Sequence, residues 1–530
     1  MDSQVQTLAL VVVVAAVYAL ARRIGALPPL LLVLVGLVAS VVPGIPDYTL
    51  DPELVLTFFL PPLLYAASVQ TSLPSLRDNA RSIGLLAVGL VLFTALVVAV
   101  VAHAMVDGLP WGAAVALGAI VAPPDAVAAT AVARRTGLPR RVVTLLEGES
   151  LVNDATALTT LRVAVASIAA SSPSWGSAVG QLLVAAAGGV AVGVVTAKVV
   201  AFLRKRVDDP VMDSVISLLT PFAAFAASES WSSGVLAVVV AGILLGHKAP
   251  LIQSPQSRLQ QAGIWSTIEF ILQGVVFALV GLQLKSVVQG LEDDDLGHAL
   301  LVSLAVSAAV VVSRPLWIFP ATYLPRRIPS VRRHDPPPEW KVPAVISWAG
   351  MRGAVSLAAA LSLDETVPHR RTLVLVTFVV IGVTLLLQGA TLPWVIRRLG
   401  LHAPDPVADT LQEASVKQRA SRAAESVLDE LAARNPLPDG VEDRLRDGVR
   451  HRALSAWERL GSGPGGSANG PAPTETPSAA FARVRKAMLD AERAVLVQAR
   501  DAGRLEHDVL QRLQRDLDLE ETMLTRDDGD

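Results

Sequence analysis

Cysteine is absent from all 530 residues. That excludes a disulfide scaffold, a thiolate metal site and a cysteine nucleophile. Charge is scarce too: Asp, Glu, Lys and Arg make up 17% of the chain, against about 25% in an average soluble protein. The scarcity is uneven. Residues 1–400 hold 27 Lys and Arg with 23 Asp and Glu, whereas residues 401–530 hold 18 and 24. The first part is too apolar for a soluble domain, and the second is ordinary for one. Neither is basic enough for nucleic acid to be a main partner. No phosphate loop of the form GxxxxGKS or GxxxxGKT occurs, so nothing marks an ATPase. A single soluble enzyme does not fit.

Long apolar runs are abundant. A hydrocarbon core of ~30 Å takes about 20 helical residues. Thirteen runs read as candidate spans: 5–21, 28–43, 52–70, 82–105, 111–133, 142–170, 177–203, 211–228, 233–247, 263–285, 297–323, 341–363 and 372–396. Stretches such as LALVVVVAAVYAL at 8–20 do not alternate in polarity as a membrane β-barrel strand would. The expected fold class is therefore an all-α polytopic membrane protein. The first run has Asp2 before it and Arg22-Arg23 after it, the reverse of a signal peptide, so it reads as a retained span. Lys and Arg collect in alternate loops, 19 in one set and 3 (Lys285, Arg370, Arg371) in the other. The positive-inside rule then puts the N-terminus outside and the tail after residue 400 in the cytoplasm.

Charges at membrane depth are expensive and mark ion or substrate paths. Asp125 follows Pro123-Pro124 in mid-span. Proline lacks the amide donor and disfavours helix before it, so the helix is expected to break near 122–125. Asp125 either caps the second half-helix, belongs to an ion site, or does both. Asp154 and Ser150 are i,i+4 on one helix face with Asn153 adjacent. Carboxylate, amide and hydroxyl oxygens suit a small hard cation. They also suit a proton carrier, since removing a carboxylate from water favours its neutral form; the bland alternative is a polar network joining helices. Arg352, between Gly350 and Gly353, points to a second weakened helix. An arginine there needs a carboxylate, with Glu149 or Glu147 the expected partner in a structural pair. Glu229 and Glu269 read as solvated or interfacial residues near span ends and His103 as a surface or structural histidine, while Arg162 and Arg314 carry no assignable role. If spans 1–6 and 8–13 are inverted six-helix repeats, the broken fifth and twelfth spans are equivalents, and crossed broken helices are a usual transporter site.

At these residues the sequence resembles the monovalent cation:proton antiporters of the bacterial and eukaryotic sodium/proton exchanger family. GESLVNDATAL at 148–158 is the strongest match. LPPLLYAAS at 60–68, APPDAVAA at 122–129, SSGVLAVVVAGILLGH at 232–247, FALVGLQL at 277–284 and GMRGAVSLA at 350–358 follow in family order. The resemblance implies a fold of about 13 transmembrane helices with inverted repeats and crossed broken helices. It further implies a plasma-membrane homodimer serving pH homeostasis, and a core domain that moves against a dimerisation domain. It implies that Asp154 binds cation or proton in competition, surrounded by Asn153, Ser150 and Asp125, with Arg352 paired to Glu149 and Pro123 and Pro124 in support. An Asn-Asp pair goes with electroneutral one-for-one exchange in this family. Many members carry a hydroxyl residue before the broken-helix aspartate and a proline after it, where this chain has Pro124 and Ala126. Some archaeal members have a glutamate where this chain has Ala66. Both are potential cation ligands, so sodium is expected first, with lithium or potassium, or potassium selectivity, as alternatives.

No cofactor is called for; cation, proton and bilayer are the expected partners. The organisation expected is a transmembrane domain at 1–400, a helical segment at 401–460, a Gly/Pro/Ser linker at 461–478 and a helical segment at 479–530. An intramembrane aspartyl enzyme using Asp125 and Asp154 is the competing reading, weakened by Arg352, the Asn partner and the lack of a GxGD sequence. A channel would call for a continuous multi-site pore.

Overall fold

Apolar segments that cannot hydrogen-bond to lipid must satisfy their backbone internally, and here they do so as helices. The computed structural model describes every residue except 1–2, 44, 46–47, 49–50, 170–174, 230, 290–295, 402–405, 436, 462–475, 502–506 and 529–530. Most of the expected linker at 461–478 thus lies outside the described residues. Among the described residues helix is the only regular secondary structure. The chain forms two compact units, Met1–His402 and Ala403–Asp530.

Among the described residues of the first unit, seven helices are long and apolar enough to cross a membrane: Pro52–Gln70, Ala80–Met105, Gly180–Arg204, Gly234–Ile252, Pro255–Gln289, Gly297–Arg327 and Arg370–Leu399. Pro28–Val41, Trp111–Val121 and Pro210–Ala226 are shorter apolar helices. Leu96, Val100, Leu183, Val184, Leu301 and Leu304 all stand exposed on these helices. So large an apolar surface suits lipid rather than water.

Two helix breaks stand close together. Pro123 and Pro124 end Trp111–Val121, and helix resumes as Ala126–Thr136. Lys341–Trp348 stops before Gly350, and Ala354–Leu361 starts after Gly353. The two breaks meet: the Asp125 amide donates to the Met351 carbonyl at 2.7 Å. A π turn, Thr384–Gln388, brings Thr384 to the second break, where its hydroxyl accepts from the Arg352 amide at 3.1 Å. Backbone groups released by helix breaking are thus re-paired inside the protein, as they must be at membrane depth.

Among the described residues, two large apolar bodies pack around the breaks, with two smaller clusters that include Ala122 at the first break and Ala358 beyond the second. The larger body includes Leu117 and Ile120 beside the first break and Leu357 and Val376 beside the second. The smaller body gathers Leu60, Leu64, Phe225, Val238, Leu245 and Trp265. The Arg140–Ala169 helix belongs to both, giving Leu145 and Leu161 to one and Leu151 and Ala155 to the other.

At the arginine-rich end of this unit one carboxylate gathers several helix ends. Asp335 pairs with Arg81 at 2.7 Å, Arg141 at 2.5 Å and Arg326 at 2.6 Å. Burial alone would raise its pKa, but hydrogen bonds from Arg141 and Arg326, and their charges, hold it at about 2. A carboxylate with a depressed folded pKa stabilises fully above its unfolded value and loses that contribution as pH falls through the folded one. The stability difference between the protein and Asp335→Asn should therefore be flat from pH 7 to about 5 and shrink toward pH ~2. Thermal midpoints in detergent across that range check this, and an unchanging difference contradicts it.

The second unit consists of Pro406–Arg434, Val441–Gly461, Pro477–Asp501 and His507–Asp528. The first pair is broken around Pro438-Asp439-Gly440, where Gly440 takes a φ of +75°. The second pair is laced by Arg485–Glu520 at 2.6 Å and by Arg493 to Asp518 and Glu521 at 2.9 and 2.7 Å. Such exposed pairs are individually weak, so apolar contacts such as buried Ala482, Leu489 and Leu510 contribute most of the packing.

Candidate ion site at the helix crossing

The Arg140–Ala169 helix passes beside both breaks. Its i,i+4 spacing turns Ser150 and Asp154 to one side, into a cavity of ≈ 340 Å³ that Asp125 also lines. Asp154 is 8% exposed, and the two carboxylates are near enough to repel one another. Glu147, Thr130, Glu269 and Gln273 line the same cavity, with Leu60, Leu64 and Phe277 among its apolar walls. Those walls come from both apolar bodies, so the site lies at the seam between them.

Gly353 makes the approach of the first break possible. A Cβ there would lie 2.3 Å from Asp125 Oδ2 and 2.7 Å from its Cβ. Gly353→Ala must push Asp125 away, at a cost of about 1–3 kcal/mol. It is expected to lower exchange while leaving the protein foldable; wild-type rates in Gly353→Ala proteoliposomes would count against this placement of Asp125.

Asn153 is turned elsewhere. It is fully buried and does not line the cavity; its Nδ2 donates to the Pro124 carbonyl at 2.9 Å. It staples the Arg140–Ala169 helix to the proline break, while its Oδ1 has no hydrogen-bond partner among the described residues. Of the four residues expected to surround the ion, the structure brings Asp154, Asp125 and Ser150 to one cavity and sets Asn153 behind it. Pro123 and Pro124 are buried in the break itself.

The expected Arg352–Glu149 pair requires correction. Glu149, 1% exposed, is held by Arg314, with Nη1 to Oε1 at 2.8 Å and Nη2 to Oε2 at 3.2 Å. Arg314 Nη2 also donates to the Ile346 carbonyl at 2.9 Å. Gly350 leaves room for it, since a Cβ there would meet Arg314 Cδ at 2.2 Å. Arg352 is 0% exposed, and none of its guanidinium nitrogens has a hydrogen-bond partner among the described residues. It remains within electrostatic reach of both Glu149 and Arg314. The bidentate fork of Arg314 satisfies Glu149 on both oxygens, leaving Arg352 beside the pair as excess positive charge.

Glu269 is half-buried. It lies within the Pro255–Leu282 helix and faces the cavity, with Gln273 Nε2 donating to its Oε1 at 2.8 Å. Arg162 reaches the carbonyls of Glu229 and Ser232, each at 3.5 Å. His103 is structural, its Nδ1 2.7 Å from the Leu109 carbonyl and its ring stacked on Trp111 at 4.3 Å.

A helical membrane unit with broken helices meeting at a buried carboxylate site defines a secondary transporter. Comparison with known proteins gives its family. Residues 9–398 match the transmembrane domain of sodium/hydrogen exchangers. An uncharacterized Na+/H+ exchanger of Mycobacterium tuberculosis is 35% identical over 528 residues, covering 97% of this chain and 94% of that one. A sodium, potassium, lithium and rubidium/H+ antiporter of Bacillus pumilus is 31% identical over 382 residues, covering 69% of this chain and 57% of that one. In fold, the unit is similar to the sodium proton antiporter MjNhaP1 of Methanocaldococcus jannaschii, with a TM-score of 0.59 and 18% identity, over 75% of this chain and 99% of that one. The chain belongs to the sodium/hydrogen exchanger family. It is a multi-pass membrane protein and a cation/proton antiporter, not an enzyme, which sets aside the aspartyl-enzyme reading.

Proposed function

We propose that this protein exchanges a monovalent cation, sodium first, for protons one for one, with Asp154 taking up cation or proton in competition beside Asp125 and Ser150. The observation that carries this reading is the shared cavity at the seam between two apolar bodies. Carboxylates drawn out of water need a compensating charge. A cation or a proton supplies it, and each makes the other unnecessary, which is the physical basis of competition. Movement of the helices that carry the two breaks against the helices that wall the cavity would present the site to either side in turn.

Around this site the proposed frame has 13 spans in two inverted six-helix repeats, with the N-terminus outside and the tail in the cytoplasm. It works as a homodimer in the plasma membrane and serves pH homeostasis. The tail comprises segments 401–460 and 479–530 with the linker 461–478 between them. A wider ion preference is the second reading. Pro124 and Ala66 bring no side-chain oxygen to the site, and the Bacillus pumilus relative is named for four alkali cations. Dissipation of a pH gradient in proteoliposomes after adding sodium, lithium or potassium tests both. Sodium-driven flux that ignores an imposed membrane potential is expected; no flux with any of the three refutes the proposal. A potassium response as large as that of sodium selects the second reading.

A further inference from the structure

We propose that Arg81 and Arg141, at the helix ends gathered by Asp335, hold the phosphate headgroup of an acidic phospholipid. Three guanidiniums share one carboxylate, so two positive charges are left over. They are not equivalent. Arg326 is buried and fully engaged: Nε and Nη2 bond Asp335, and Nη1 bonds the Thr322 carbonyl. Arg81 and Arg141 each give Asp335 a single Nη2 and remain 34% and 43% exposed. Arg81 Nη1 is a buried donor with no partner among the described residues. Paired arginine forks with spare donors match the two non-bridging oxygens of a phosphodiester, and Asp335 already occupies part of the place an anion would take.

The surroundings favour a lipid over a free anion. A cleft of ≈ 40 Å³ beside the clamp is lined by Arg141, Arg326, Ser82 and Thr322 on its polar side and by Leu86 and Ile318 on its apolar side. Trp340, Leu324 and Ile328 stand exposed on the segment that carries Arg326 and Asp335, and the Tyr323 hydroxyl folds that segment back onto the Pro338 carbonyl at 3.2 Å. Tryptophan with exposed aliphatic residues beside arginine is the composition of a membrane interface, and basic pockets between helix ends there recognise acidic headgroups. Arg332 and Arg333, exposed on Pro329–His334, extend the positive field.

The full-length protein in neutral detergent is titrated with dioleoylphosphatidylglycerol, dioleoylphosphatidylcholine or inorganic phosphate, and bound lipid is counted by native mass spectrometry. Phosphatidylglycerol is expected to bind and phosphatidylcholine not. Arg81→Gln/Arg141→Gln should weaken phosphatidylglycerol on the order of tenfold or more, whereas Arg332→Gln/Arg333→Gln, outside the clamp, should change it far less. Asp335→Asn keeps every arginine and removes the competing carboxylate, so it should tighten binding, a gain that misfolding would not produce. Unchanged affinity in Arg81→Gln/Arg141→Gln, or unchanged or weaker affinity in Asp335→Asn, overturns the site. Displacement of phosphatidylglycerol by millimolar inorganic phosphate overturns its assignment to a lipid.

Discussion

Proteoliposomes carrying Asp154→Asn are expected to show cation-driven proton flux at the level of protein-free vesicles, a loss on the order of 100-fold or more. Asparagine preserves the size of the side chain and one of its oxygens. What it lacks is the charge that draws a cation into a site closed in by Leu60, Leu64 and Phe277, and the capacity to carry a proton. A desolvated charge partner is worth several kcal/mol, and neither Ser150 nor a polar amide replaces that. Asp125→Asn should retain a measurable fraction of activity, because Asp125 also has a backbone role through its amide at Met351, which the substitution spares. Full activity in Asp154→Asn would sink the assignment; full activity in Asp125→Asn would reduce that residue to shaping the break.

The second large effect is on stability. Glu149→Gln removes the only carboxylate bonded to Arg314 among the described residues and leaves Arg314 and Arg352 buried together. Breaking a buried pair in this way costs about 3–5 kcal/mol, because the remaining charge stays uncompensated. Arg314→Met should cost less, since Arg352, with all its donors unbonded among the described residues, can take over Glu149. The Glu149→Gln/Arg314→Met double variant should recover part of the loss, leaving one buried arginine where Glu149→Gln leaves two. Thermal midpoints of the three variants in detergent decide this. Equal losses in the two single variants, or a larger one in Arg314→Met, would mean that Arg352 is no substitute.

Much of the site is legible from the chain alone because the membrane makes polar residues conspicuous. Two adjacent prolines weaken a helix, and 122–125 is non-helical, although Pro61-Pro62 are carried within Pro52–Gln70, just after a π turn at Val55–Phe59. Ser150 and Asp154 face one cavity because of helical periodicity, a property of spacing alone. Asn153 shows the limit of that argument: it is adjacent in sequence but rotated by one residue, toward Pro124 rather than the cavity. Arg314 was hidden for a different reason. It lies in Leu296–Tyr323 with no local motif, and its partner is 165 positions away, so only tertiary packing decides between it and Arg352 for Glu149. Glu269 reads as the end of a span because the apolar run begins near residue 263, yet the helix starts at Pro255, behind a Ser254 cap. Glu269 is therefore a mid-helix residue, and it lines the cavity.

Competition for one site is the central claim, and the dependence of sodium affinity on pH tests it most directly. With equal pH on both sides of the membrane, the apparent KM for sodium is measured in proteoliposomes over a series of acidic pH values. If cation and proton occupy Asp154 in turn, the apparent KM rises about tenfold for each pH unit lowered once the proton dominates, as mass action requires, and the maximal rate at saturating sodium is not abolished. A KM that stays constant while the maximal rate falls would place proton and cation on different groups and contradict the account.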